Sequence, residues 1–435
     1  MIVSWHHRVL PYRSGKVLST DSHADSLDSF QEMSPEIVVK SGEALHRDAT
    51  TAGAASSDGT CRILYLAGEL HKGGLERQLY YLLRSVDRER YKPAVAVWNY
   101  RDTDVHVRLL KALGVPMFSL PNATSRLTKL RAIRRLVKQL RPEVVHSYTF
   151  YTNFAAFWAT CGTPAVTVGS VRSDFDWAKK DAGLLLGRLS ARWPADQISN
   201  SFAAAESARR SRSFFVPKQC HVVSNGIDLE RFRKCEGATE GRAIIVGLGY
   251  LLPVKRWERL VSAAHQLKQR GLDCEIRIVG DGPLRRVLEE RAQALDVVDC
   301  VHFIPHTNDV PRLLAESSFL VHTADSEGCP NAVMEAMACG RAVVATDVGD
   351  IPRLVEDGTT GFLVPSGNDG MLAERMATLI TDRELCRRMG EAARQRAEHA
   401  FGLDRLVRET LAAYRKAGWK EQERGPSRVE AFAGD

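Results

Sequence analysis

Two glutamates frame the stretch of this chain with the most chemistry in it, Glu327-Gly-Cys-Pro-Asn-Ala-Val-Met-Glu335. An apolar run and a short polar turn precede it. Pro330 suits the first turn of a helix, where a missing N–H leaves no bond unmade. The spacing therefore predicts a helix from about Pro330, with Glu335 inside it and Glu327 in the loop before it. The free backbone N–H groups of Asn331, Ala332 and Val333 would then form an anion site aimed at a phosphate. A carboxylate in the first turns could accept hydrogen bonds from ribose hydroxyls, and the loop carboxylate could reach a sugar's hydroxyls. Residue types alone leave equal room for two ordinary acids, one of them favouring the helix N-terminus electrostatically.

The longer run EGCPNAVMEAMACGRAVVATDVGDIPRLVEDGTTGFLVP, ending at Pro365, resembles the donor-binding signature of the family 4 retaining glycosyltransferases of the GT-B fold. Paired glutamates separated by seven residues are the hallmark of that family. Further stretches are similar in the same order: HKGGLERQ from His71, EVVHSYTFY from Glu143, SNS at Ser199, VVSNGIDLERF from Val222, PVKRW from Pro253 and IVGDGP from Ile278. The resemblance spans about residues 61–415. It implies two Rossmann-like, doubly wound α/β domains facing across a cleft. It also implies transfer from a nucleoside-diphosphate sugar to a glycan or glycolipid, with retention at the anomeric carbon. On that view the leaving phosphate oxygen can itself take the acceptor's proton, and Glu327 and Glu335 bind substrate instead of forming a glycosidase's acid and base pair.

Carried over position by position, the resemblance implies that Gly73 and Gly74 let a loop approach the donor phosphate closely, although an ordinary turn would also use glycine. His146, at a strand end facing the cleft, resembles a family histidine near the transferred sugar, and with Glu327 it is the candidate at the reacting centre. Lys255 resembles the lysine that neutralises the donor diphosphate. Arg172 is a candidate for an acceptor's anionic group, or else one half of a surface ion pair. The chain departs from the family at one place: the arginine usual five residues before the lysine is replaced by Tyr250. Either the phosphate clamp is weaker, or Arg256 or another cation completes it.

Other readings have less behind them. Asp174-Phe-Asp176 has the D-x-D form of a divalent-ion site, but lies far from the donor loop in sequence. Gly247-Leu-Gly249 opens like a dinucleotide fingerprint, which would suit an oxidoreductase or epimerase, yet the third glycine is missing. A catalytically silent sugar-nucleotide-binding protein would have lost functional residues, whereas Glu327, Glu335, Lys255 and His146 are all present.

The elements that must position these residues are legible as an alternation of short apolar runs with helical segments. One series opens at Arg62–Leu66 and a second at Ala243–Val246, the pattern of parallel sheets covered by helices. The expected organisation is a disordered leader over 1–60, an acceptor-side domain over 61–237, a donor domain over 238–400, and a helix with a charged tail over 401–435. Length and a 44% hydrophobic content accommodate two cores. The uncharged stretch Ser147–Val171 is interrupted by Gly162 and Pro164, so it reads as a buried helix and strand, not a membrane span.

Nine cysteines without a C-x-x-C pair argue against a zinc site and a disulfide framework, and no metal or other cofactor is expected. With no visible secretory signal, a cytoplasmic location follows. Net charge is only +7, but Arg126, Lys129, Arg131, Arg134, Arg135, Lys138 and Arg141 fall within one amphipathic helix lacking any acid. A solvated outer face is the first reading, and weak contact with an anionic membrane surface the second. Nucleic acid comes third, for want of aromatic platforms or recognition motifs.

Overall fold

The structure, a computed structural model, describes residues 62–122, 124–172, 174–234 and 241–421. The expected leader over 1–60 and the tail beyond 421 lie outside the described residues, as do Cys61 and Cys235. The first series of apolar runs forms β1 (Ile63–Ala67), β2 (Pro93–Val97), β3 (Met117–Ser119), β4 (Val144–Ser147), β5 (Val166–Val171), β6 (Asp196–Ser199) and β7 (Gln219–Val222). They make one parallel sheet in the order β3-β2-β1-β4-β5-β6-β7. The second series forms β8 (Ala243–Leu248), β9 (Cys274–Val279), β10 (Val301–Ile304), β11 (Phe319–His322), β12 (Ala342–Thr346) and β13 (Gly361–Val364), parallel in the order β10-β9-β8-β11-β12-β13.

Central strands such as β1, β2 and β12 are buried along their whole length, because helices cover both faces of each sheet. Their apolar runs are therefore continuous instead of alternating, which made them visible in the sequence. The edge strand β7 and the polar strand β6 carry no such run, and the sequence reading passed over both.

Each sheet reverses its strand order once, between β1 and β4 and between β8 and β11. In open α/β sheets, ligands bind at the carboxyl ends of strands beside such a reversal. The chain crosses between the two sheets after β7 and again near Phe401, and the crossings are joined by a hydrogen bond from Ile227 N to Phe401 O of 2.8 Å. The last helix, Leu403–Lys416, then returns to the first sheet. Leu406, Leu411 and Tyr414, with Trp419 just beyond, join the core built around Tyr65, Leu79 and Val144. The uncharged stretch from Ser147 holds the short helix Asn153–Thr160 and β5, and among the described residues no helix is long and apolar enough to cross a membrane.

Candidate functional site

β8 and β11 pair only through Ile245 with Phe319 and Val246 with Leu320, then separate toward their carboxyl ends. The crevice left between them receives two loops. One carries Lys255 at the end of a short turn, Pro253–Lys255, held in place by a 2.8 Å hydrogen bond from Thr323 Oγ1 to the Lys255 carbonyl. The other carries Glu327 and runs into the helix Asn331–Ala338, whose N-terminus has no side-chain cap and no acid in its first turn. Asn331, Ala332 and Val333 thus stand where a helix directs unpaired N–H groups at an anion.

Glu327 lies between the Lys255 ammonium, with which it forms an ion pair, and His322 Nε2 at 2.9 Å. Burial works to raise its carboxyl, but the His322 hydrogen bond and the nearby positive charges hold it down to about 2. His322 itself is buried, and its Nδ1 has no hydrogen-bond partner among the described residues. Glu335 is buried one helix face away, and its partner comes from the opposite domain: the Arg77 guanidinium donates to it. Burial still raises the Glu335 carboxyl, against the pull of Arg77.

The helix Gly74–Ser85, which bears Arg77, faces this loop closely. Gln78 Nε2 donates to Asn331 Oδ1 at 3.2 Å, and Gln78 also exchanges hydrogen bonds of 2.8 Å with both backbone groups of Gly226. A Cβ on Gly74 would stand 2.7 Å from Asn331 Nδ2, so any larger residue there would have to push the Asn331 amide aside. Gly73 has ordinary extended backbone. Between the domains lies a cleft of about 470 Å³, lined by Gly73, Gly74, Arg77 and Arg172 on one side and Lys255, Glu327, Asn331, Ala332 and Glu335 on the other.

Four expectations change. His146 does not face this cleft: it is buried on β4, with Nδ1 2.8 Å from Tyr414 Oη and Nε2 3.1 Å from Ser170 Oγ. Burial holds its imidazole well below the usual range. The cause is the returning C-terminal helix, whose Tyr414 covers the sheet face to which His146 points. Arg256 does not complete a phosphate clamp either, because it pairs with Glu258 and Asp325 at 3.0 and 3.3 Å and lies off the cleft wall. Arg172 makes no ion pair among the described residues. Its guanidinium stacks 4.2 Å over the Tyr148 ring at the cleft, with Nε buried and without a hydrogen-bond partner among those residues.

Lys129, expected on the outer face of the basic helix, is buried and donates to the Trp98 carbonyl at 2.6 Å and to Asn99 Oδ1 at 2.7 Å. The two aspartates of the D-x-D stretch have local partners. Asp174 caps the helix Phe175–Asp181, and Asp176 faces Lys179. Among the described residues no three His, Cys, Asp or Glu side chains converge as metal ligands.

Arg77, His322 and Tyr81 are not singled out by residue pattern, although Arg77 stands inside the HKGGLERQ stretch. Nor does the pattern show what Tyr250 does: its hydroxyl donates to the Lys72 carbonyl at 2.9 Å, across the cleft.

Comparison with known proteins bears on the family and the fold. The family model described as glycosyl transferases group 1 matches residues 228–396, and that of glycosyltransferase family 4 matches 72–231. An alpha-maltose-1-phosphate synthase of Mycolicibacterium smegmatis is 30% identical over 356 residues, covering 72% of this chain and 91% of that protein. A D-inositol 3-phosphate glycosyltransferase of Kribbella flavida is 32% identical over 46% of this chain and 52% of its own length. Among solved structures, Anabaena HepE in complex with UDP superposes with a TM-score of 0.69 at 20% identity, over 82% of this chain and 100% of that one. Sucrose-phosphate synthase of Thermosynechococcus elongatus gives the same score at 17% identity, over 82% and 98%.

Proposed function

This chain belongs to the group 1, family 4 glycosyltransferases of the GT-B fold, and on that footing we propose that it moves a sugar from a nucleoside-diphosphate sugar to a glycan or glycolipid, with retention at the anomeric carbon. The observation that carries the reading is a pair of ion pairs beside an uncapped helix N-terminus: Lys255 with Glu327, and Arg77 with Glu335. A ligand that brings both hydroxyls and negative charge can exchange partners with both at once. Its hydroxyls go to the carboxylates, and its phosphates go to the cations and N–H groups. A sugar nucleotide is such a ligand.

In this assignment Glu335 accepts from the ribose and Glu327 from the transferred sugar. Lys255 and the first turn of Asn331–Ala338 take the diphosphate, stabilising the charge that grows on the leaving group. Arg172, stacked on Tyr148 at the cleft wall, holds an anionic group of the acceptor. HepE is described in complex with UDP and with UDP-glucose, which supports a uridine donor as the first to try. Assembly of a cell-surface polysaccharide or glycolipid at the inner face of the membrane is the cellular role that fits a basic helix on the acceptor-side domain.

Thermal shifts with UDP, GDP and ADP sugars test the donor class. The right donor at 100 times its dissociation constant stabilises by about 2.7 kcal/mol, and a flat response to all of them would refute the reading. Because the proposed phosphate partners are N–H groups and a lysine, transfer proceeds without a divalent ion. Loss of activity in EDTA, restored by manganese or magnesium, would contradict that.

A further inference from the structure

A donor diphosphate brings two negative groups into a cleft where Lys255 is already engaged by Glu327 and where Tyr250 offers no charge. The other domain brings a further cation to the cleft wall. Arg77 lies on the first turn of Gly74–Ser85, in the same cleft wall as Gly73 and Gly74, and among the described residues its ion pair is with Glu335 alone. That leaves the guanidinium with donors to spare, and its Nε is buried without a hydrogen-bond partner among the described residues. Beside it the Tyr81 hydroxyl is likewise buried on the cleft wall and unpartnered among those residues. Arg and Tyr donors left unmade around one buried carboxylate mark a place that a polar ligand completes, because such groups are costly to leave unsatisfied.

The distance Arg77 must cover is short. Glu335 and Asn331 are one helical turn apart, about 5 to 6 Å along the axis, and the anion-directed N–H groups belong to that first turn. A guanidinium resting on Glu335 therefore reaches the phosphate position by moving about one turn, without any change in the backbone of either domain.

We propose that Arg77 is a donor-diphosphate ligand supplied by the acceptor-side domain, and that Glu335 is its resting partner. When a ribose enters, its hydroxyls take over the Glu335 carboxylate and Arg77 transfers to the phosphates. One arginine then ties the nucleotide on the second domain to the loop that carries Gly73 and Gly74 on the first, so the diphosphate is bound by both domains. The inference rests on the donor assignment above, but its test is separable from it.

The test is calorimetry with a nucleoside and its diphosphate, starting from uridine and UDP and extending to the guanosine and adenosine pairs, on wild type, Arg77→Gln and Arg77→Lys. In wild type the nucleoside frees Arg77 with no phosphate to receive it, whereas the diphosphate supplies one. Arg77→Gln should therefore weaken diphosphate binding by about tenfold or more and leave nucleoside binding unchanged or tighter. The preference for diphosphate over nucleoside then collapses, and Arg77→Lys keeps part of it.

Equal weakening of both ligands would mean that Arg77 only supports Glu335, and equal tightening would mean that it only blocks it. Either result overturns the proposal. Should Arg77→Gln fail to fold for want of a counter-ion to Glu335, the same ratio is read in Arg77→Gln/Glu335→Gln against Glu335→Gln, where an unchanged ratio overturns it. If wild type binds none of the diphosphates, the donor reading itself has failed.

Discussion

The two glutamates carry different loads, and substitution separates them. Glu335 is buried against Arg77 and assigned to the ribose, whereas Glu327 is held by Lys255 and His322 and assigned to the sugar. Hydrogen bonds to a charged carboxylate contribute roughly 1.5 to 3 kcal/mol. Glu335→Gln should thus weaken both donor and free nucleoside diphosphate by about ten- to a hundredfold. Glu327→Gln should leave the free diphosphate nearly untouched and slow transfer, since misorientation of a reactant costs on the order of a hundredfold in rate. Equal diphosphate affinity in wild type and Glu335→Gln, read by calorimetry, would overturn the ribose assignment.

Glu327 also makes a prediction about acid. Its folded-state pKa is depressed to about 2, below the ordinary carboxylate value of 4.5. The stabilisation is therefore present above about pH 4.5 and is lost as pH falls toward 2. The melting-temperature gap between wild type and Glu327→Gln should narrow as pH is lowered from about 5 toward 2. A gap that widens would mean the carboxylate is not stabilised by its partners. The placement of the two glutamates was readable from the chain because Pro330, which marks the helix start, lies between them, whereas Lys255 was singled out by the family resemblance alone. His146 was misplaced because the group that covers it, Tyr414, lies 268 residues away.

At the scale of elements, helix and strand positions were legible wherever an apolar run was continuous, as in β1, β8 and β12, and were missed where no residue of the strand is fully buried, as in β7. The helix Arg126–Leu140 shows what a periodic pattern leaves open. Ile133, Leu136 and Val137 are buried as their spacing required, but Lys129 turns inward, because the carbonyl of Trp98 and the amide of Asn99 offer its ammonium partners. Arg126, Arg131, Arg135, Lys138 and, at the helix end, Arg141 remain exposed, and Arg134 stacks 5.6 Å over Trp158. Each surface cation near an anionic bilayer contributes about 1 kcal/mol. Co-sedimentation with phosphatidylserine-containing liposomes should therefore be seen at low salt, fade as salt screens it, and drop sharply in Arg131→Gln/Arg135→Gln/Lys138→Gln. No binding by wild type at low salt would leave this face with solvation alone.

At the scale of the whole molecule, the domain layout read from sequence put the last helix in a segment of its own, and in the fold its apolar face completes the first core. Local pattern gives an amphipathic helix its buried face but not the surface it meets, so this connection could not be read in advance. The two domains are further joined where Asp350, beyond β12, accepts from the backbone N–H groups of Phe202 and Ala203 at 2.7 and 2.8 Å, capping a helix of the first domain. The consequence of the returning helix is testable. Removing everything after Phe401 strips Leu406, Leu411, Tyr414 and Trp419 from around Tyr65, Leu79 and Val144 and leaves His146 without Tyr414. Large apolar side chains are worth about 1.5 to 3 kcal/mol each when buried, so four of them rival the roughly 5 to 15 kcal/mol that keeps a domain folded. The core around β8 and β12 loses none of these contacts. Calorimetry of the truncated chain should accordingly show the second domain's transition retained and the first domain's lost or moved far down in temperature. If the truncated chain melts as the full-length protein does, the C-terminal helix is not a structural part of the first domain.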